Sequence, residues 1–271
     1  TITALNEDGD PAVNFSGMVE LSDTTGTLEP SEAEFDGPEL TASMTITKAD
    51  MDVSITATGM NPCGVTIEGI SNDFDVEPDV ENPASVTIDP DEVDLVAGEC
   101  QMFTLTAEDT YGNTFEVTDD EDTTFSIDGP DMMDGNEYCA ETAGSWTVTG
   151  TYAGTETTES DEAAVTVEAG EAVRVEVSPS AVTLQPEETQ QFEAACYDAF
   201  DNEVTCDPTW SVADADAGSI DAMSGLFTAW TLAGSYPDAV VATADSITGT
   251  ADVTVELFHI FMPIVARNYS P

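Results

Sequence analysis

Carboxylates dominate the chemistry open to this sequence. It carries 56 Asp and Glu residues against 3 Lys and Arg and a single His. Paired carboxylates occur throughout, so no one pair stands out as a general acid and base. His259 has no nucleophile in its sequence context, and there is no Gly-rich phosphate loop. The chain is therefore not expected to be an enzyme. Clustered carboxylates can instead hold calcium, which takes oxygen ligands. Candidate loops are Glu7–Asp10, Asp119–Asp122 and Asp198–Glu203. A fourth group comprises Asp73, Asp75, Glu77, Asp79 and Glu81. None has EF-hand spacing, and in so acidic a chain such clusters also arise by chance. The fourth is the best placed, because it falls at a joint between repeats, where an ion would add rigidity. No cofactor is required; calcium is the one candidate.

The formal charge of −53 excludes whole classes of partner. Phosphate backbones are bound by cationic side chains that displace counterions, so nucleic acid is not a partner. The same holds for an anionic membrane surface. No apolar stretch reaches the ~18 residues of a membrane span. The carboxylates repel one another with almost no Lys or Arg to pair with, so salt or bound cations are expected to raise stability. Such a surface suits a secreted or salt-exposed protein. Thr1 in place of Met reads as processing or as a fragment, and there is no signal peptide.

Five cysteines point the same way. None forms CxxC, so a zinc site is not expected, and disulfides in an oxidising, extracellular compartment are the better reading. Cys196 and Cys206 flank one turn and share the core side with Phe192 and Trp210; they form the expected pair. Cys100 and Cys139 are the second pair, although Cys100 is out of phase with Phe103 and belongs at a strand edge. Cys63 is left free or bonded to another chain. Lys48 raises the idea of a Lys–Asn isopeptide bond, but it precedes Ala49-Asp50 in what reads as an exposed turn. Asn14-Phe15-Ser16 and Asn268-Tyr269-Ser270 fit the N-glycosylation sequon.

Three copies of one unit position these residues. The segments Thr3–Val13, Thr106–Val117 and Ala195–Val204 share an alternating apolar run and a turn. Gly9-Asp10, Gly112-Asn113 and Asp201-Asn202 supply that turn with residues that tolerate the left-handed conformation. Pro90 and Pro179 lie 89 residues apart, as do Phe103 and Phe192. Each copy closes on an alternating strand: Asp73–Glu77, Ala164–Glu168 and Asp252–Glu256. Period two dominates, as in Trp146–Tyr152, and no 3.6-residue stripe competes. A period near 90 fits a small sandwich and not a solenoid repeat. The expected architecture is all-β, with three tandem immunoglobulin-like sandwiches at 1–78, 79–169 and 170–256. The short joints Glu77–Pro83 and Glu168–Ala172 are expected to give a semi-rigid rod.

The segment Trp210–Ala229 resembles bacterial immunoglobulin-like repeats of the intimin and invasin type. It has a core Trp, then Gly-x-Ile-Asp, then Gly-x-Phe-Thr-Ala. Ala172–Phe192 resembles the usual opening strand of that family. The resemblance covers nearly the whole chain. It implies the sandwich fold and a place in a surface stalk, spacer or adhesin, and leaves the ligand open. A carbohydrate-binding module is the rival reading, since such modules are also sandwiches; surface ligands or glycans are then partners. It needs exposed aromatics, and of the three Trp only Trp230 is promising, because Trp146 and Trp210 read as core.

The two ends do not match. Copies two and three open with a strand at Ala84–Pro90 and Ala172–Pro179, whereas Thr1–Leu5 already aligns with their second strand. At the other end, 257–271 opens on Leu257–Ala266, ten residues without charge. Leu257, Phe258, Ile260, Phe261, Met262, Ile264 and Val265 make both faces apolar, and Pro263 disfavours a helix interior or a central strand. The expectation is a donor strand that fills an acceptor groove beside Ile2, Ala4 and Leu5 of the next copy. Such head-to-tail contacts that do not close generate a filament. Six to eight buried apolar side chains would contribute on the order of 10 kcal/mol before ordering costs. Three alternatives stay open. The chain is a fragment of a monomeric spacer or adhesin, the tail folds back on its own domain, or the tail is a sorting or anchoring signal. The last rests on its aromatic-x-Pro-Ile-Val run followed by Arg267-Asn268.

Overall fold

The computed structural model describes residues 1–257 apart from Pro62. Every regular element described is a strand. Period-two patterning is the cause. In Thr158–Glu168, Ala163, Val165 and Val167 are buried, while Glu162, Ala164, Thr166 and Glu168 face water. Alternation of this kind buries one face of each strand and leaves the other solvated.

Three separate hydrophobic clusters follow one another along the chain. The first is built on Val19, Leu21, Leu28 and Phe35. The second includes Ile88, Phe103, Leu105, Tyr138 and Val165. The third includes Val177, Phe192, Trp210, Phe227 and Val253. Each lies between sheets in an immunoglobulin-like sandwich.

The second and third sandwiches share one topology. In the second, a four-stranded sheet runs Glu92–Val96, Thr158–Glu168, Gly144–Ala153, Thr123–Ile127. Its first pair is parallel and the rest antiparallel. The facing sheet runs Thr114–Glu116, Thr104–Asp109, Pro83–Asp89. The third sandwich repeats this, with Ala181–Leu184 parallel to Ile247–Val255 and Arg174–Ser178 antiparallel to Glu193–Tyr197. In both sandwiches the opening segment therefore crosses from one sheet to the other: its first half pairs in one sheet, and the segment after Pro90 or Pro179 pairs in the other. The valines of Val173–Val177 share one phase in the sequence, yet only Val175 and Val177 are buried; Val173 lies before the strand and is exposed.

The first sandwich is smaller. Its main sheet runs Glu32–Asp36, Ser16–Asp23, Ile55–Met60, Thr66–Ile70, all antiparallel. Ile2–Thr3 pairs with Glu39–Leu40, and Asp50–Val53 pairs with Phe74–Val76. Cys100 is bonded to Cys139, its direct cross-strand neighbour. Cys196 is bonded to Cys206, with Cys196 fully buried. Cys63 is free and exposed, in the turn between Asn61 and Val65.

Candidate assembly groove and inter-module joints

In the second sandwich the strand Pro83–Asp89 lies against Thr104–Asp109, pairing Thr106 with Thr87 and Leu105 with Ile88. Ile88 and Val86 are buried there. Copy one aligns Ile2–Asn6 with Leu105–Asp109 through the shared turn, and it has no strand in that place among the described residues. The inner edge of Ala4 is used: its N–H donates to Pro38, and its carbonyl accepts from Ala12. Backbone groups alternate sides along a strand, so those of Thr3 and Leu5 face the other way, where no strand pairs with them among the described residues.

The matching loss occurs on the opposite sheet. Among the described residues, Thr66–Ile70 pairs on one side only, with Ile55–Met60. Asp73–Glu77 aligns with Ala164–Glu168, whose outer edge in copy two is covered by Glu92–Val96. The consequence shows in burial. Val165 is 1% exposed, whereas its counterpart Phe74 is 38% exposed. Ile67 and Ile70 are exposed as well.

Between these two edges runs an apolar groove of ≈ 340 Å³. Ile2, Ala4 and Leu5 line one wall, Ile67 and Gly69 the other, and Phe15, Phe35 and Ala57 the floor. The three residues expected to form an acceptor are thus brought together. Gly59 also lines it, at the position where Gly150 in copy two lets Ile88 and Leu105 approach. The proposed donor residues Phe258, Ile260, Phe261, Met262, Ile264 and Val265 lie outside the described residues; Leu257 is exposed.

The calcium candidates fare differently. Among the described residues, no three carboxylates of Asp73, Asp75, Glu77, Asp79 and Glu81 converge on one point. For Asp73, Asp75 and Glu77, on and beside the strand Phe74–Val76, extended backbone is the reason, since alternate residues of a strand stand roughly 6.6 Å apart along it. Asp75 instead accepts the N–H of Asp52, and the side chain of Asp79 lies near the Asn82 amide. Glu7–Asp10 is an exposed turn held by the Asn6 side chain. In Asp119–Asp122, Asp120 caps the N–H of Asp122.

Asp198–Glu203 proves to belong to a joint. Asp109 and Asp198, 89 residues apart, are the two buried charged residues among those described, each 2% exposed. Asp109 accepts from the N–H groups of Tyr111 and Asn113 within its own turn. It also accepts from the Asn113 side-chain amide and from the N–H of Asp79 in the incoming joint, at 3.0 Å. Asn113 then reaches the first sandwich. Its Nδ2 donates to the Thr47 carbonyl and its Oδ1 accepts from the Ala49 N–H, both at 2.8 Å. The third sandwich repeats every bond. Asp198 accepts from Phe200, Asn202 and the joint's Gly170. Asn202 donates to the Glu141 carbonyl at 2.7 Å and accepts from the Ala143 N–H at 2.8 Å.

The receiving loops are held in shape from below. Asp131 accepts from the N–H groups of Glu141 and Thr142 and from the Tyr138 hydroxyl. Thr27 Oγ1 accepts from Thr47 and Lys48. Lys48 is thus exposed on a receiving loop and not in a core. Phe200, at the tip of its turn, lies against Gly98 of the second sandwich, where a side chain would meet its ring.

Burial alone would push the Asp109 and Asp198 carboxyls up. The Asn side-chain amide and the backbone N–H groups outweigh it and hold both below their ordinary value. A depressed carboxyl contributes stability that is present above the unfolded pKa and lost as pH falls through the folded one. The stability difference between wild type and Asp109→Ala should therefore stay constant from about pH 8 to 5 and shrink only below about pH 4. Paired urea titrations across that range read it directly. Taking the difference removes the relief of general charge repulsion, which both proteins share.

Of the three Trp residues, Trp210 is buried near Phe192, and Trp146 packs on Gly129 and Gly144. Only Trp230 is substantially exposed.

The fold and its joints define a tandem array of immunoglobulin-like sandwiches. The chain matches no protein-family model and no curated protein sequence. Among solved structures, it is similar to the S-layer protein SbsC, with 17% identity and a TM-score of 0.31, over 94% of this chain and 37% of that one. Protocadherin gamma B7 extracellular cadherin domains 1–4 give 13% identity and a TM-score of 0.47, over 89% of this chain and 66% of that one. The Escherichia coli adhesin FdeC gives 17% identity and 0.40, over 94% and 87%. The chain thus spans 37% of the length of the S-layer structure. At such identities and scores, nothing about partners or activity follows from these neighbours.

Proposed function

We propose that this chain is a structural, non-catalytic segment of an extracellular surface rod or filament, with module limits at 1–78, 79–169 and 170–256. Copies join head to tail, and residues 257–266 of one copy complete the first sandwich of the next. The observation that carries this reading is the groove beside Ile2, Ala4 and Leu5, which sits where the other two sandwiches hold their own opening strand. Phe261-Met262-Pro263 repeats the apolar-x-Pro pattern that ends those strands at Ile88-Asp89-Pro90 and Val177-Ser178-Pro179. Two disulfides support an oxidising compartment. An added strand turns only alternate side chains inward, so roughly half of the tail's apolar residues would enter the groove. That is fewer than the six to eight counted from composition. Negative-stain microscopy of the purified chain tests the reading: continuous fibres support it, and separate rods at every concentration oppose it.

A further inference from the structure

We infer that the Asp-x-aromatic-x-Asn turn is a latch that fixes each sandwich on the one before it through hydrogen bonds, with no cation needed, and that Asn113 and Asn202 are its positioning residues. The inference goes beyond the assembly reading and stands without it.

Three observations carry it. The latch occurs twice, at Asp109–Asn113 and Asp198–Asn202, with the same donors and acceptors each time. Each turn ties three bodies together: its own sandwich, the incoming joint, and the receiving loop of the preceding sandwich. Both buried carboxylates of the described chain are spent on it. A hydrogen bond accepted by a carboxylate is stronger than a neutral one. Moreover, the Asn side-chain amide both gives to a carbonyl and takes from an N–H within one plane; Asp cannot donate and Ser cannot span both. With its lone pairs engaged by N–H groups, the Asp at each joint is occupied by protein donors and not set out for an ion.

Copy one makes the contrast. Its turn reads Asn6-Glu7-Asp8-Gly9-Asp10, with the acidic and amide positions exchanged and no aromatic at the tip. Asn6 still closes the turn through the N–H groups of Asp8 and Asp10. Asp10, however, has no donor to offer a receiving carbonyl. The first sandwich therefore keeps the turn and lacks the latch.

The test uses the full chain with Cys63→Ser and pairs of nitroxide labels. Glu34→Cys with Glu162→Cys spans the first joint, and Glu162→Cys with Glu193→Cys spans the second. Pulsed electron resonance should give one narrow distance peak at each joint, unchanged by excess EDTA or by added calcium. Asn113→Ala should abolish the narrow peak at the first joint and leave it at the second; Asn202→Ala should do the reverse. If Asn113→Ala prevents the second sandwich from folding, the Asn202→Ala result decides. A broad peak in the parent chain that narrows only with calcium would overturn the inference. So would narrow peaks that survive both substitutions. Neither outcome depends on whether fibres form.

Discussion

A chain cut after Glu256 should remain a single copy under conditions in which the full chain forms fibres. The reason lies in the geometry of the first sandwich. Its groove offers two backbone edges unpaired among the described residues, at Thr3 and Leu5 and along Thr66–Ile70, with an apolar floor between them. Exposed edges of this kind are templates for an added strand. Association must also overcome on the order of 4–15 kcal/mol of lost translational and rotational freedom. Three or four buried side chains at about 1.5–3 kcal/mol each, together with new backbone hydrogen bonds, bring the balance near the level of stable association. Removing the donor should therefore abolish assembly outright and leave the three folds intact. Sedimentation velocity of the truncated and full chains checks it. Fibres from the truncated chain would show that the contact lies elsewhere.

Asp109→Ala should be the most damaging single exchange of an acidic residue in the second sandwich. Four N–H donors lose their acceptor: those of Asp79, Tyr111 and Asn113 and the Asn113 side-chain amide. A buried donor left unpaired costs about 1–3 kcal/mol, and some of these will find water. The expected loss is about 2–4 kcal/mol, which for a module of this size lowers its midpoint by roughly 10 °C or more. Asp119→Ala provides the contrast. Asp119 is exposed, and losing one negative charge from so acidic a surface should change stability by no more than about 0.5 kcal/mol. Calorimetry of the two variants separates them. Equal effects would mean that the burial of Asp109 has no energetic consequence.

The sandwich architecture was legible because period-two burial is written into side-chain type. Ala163, Val165 and Val167 alternate with Glu162, Thr166 and Glu168, and such a run can bury only one face. The open edge beside Ile2–Leu5, where no described strand pairs, was legible for a related reason, since Thr1–Leu5 already aligns with the second strand of the other copies. The joints were not. Thr47–Ala49 and Glu141–Ala143 receive the latch through a backbone carbonyl and a backbone N–H, which leave no mark on residue type. Asn113 and Asn202 did recur at a fixed offset, but the turn they close already accounted for them. The carboxylates are a different case. Asp73, Asp75 and Glu77 are close in sequence, yet an extended chain spaces them out. Asp198 sits in a candidate calcium loop, and its oxygens are taken by N–H groups of the protein.

Amide exchange at Thr3 and Leu5 probes the acceptor edge itself. In the chain cut after Glu256 both N–H groups should exchange freely, and a synthetic peptide of residues 257–266 should slow them markedly, together with those of 66–70. Rates at Thr3 and Leu5 that stay the same with saturating peptide would contradict strand donation into this groove.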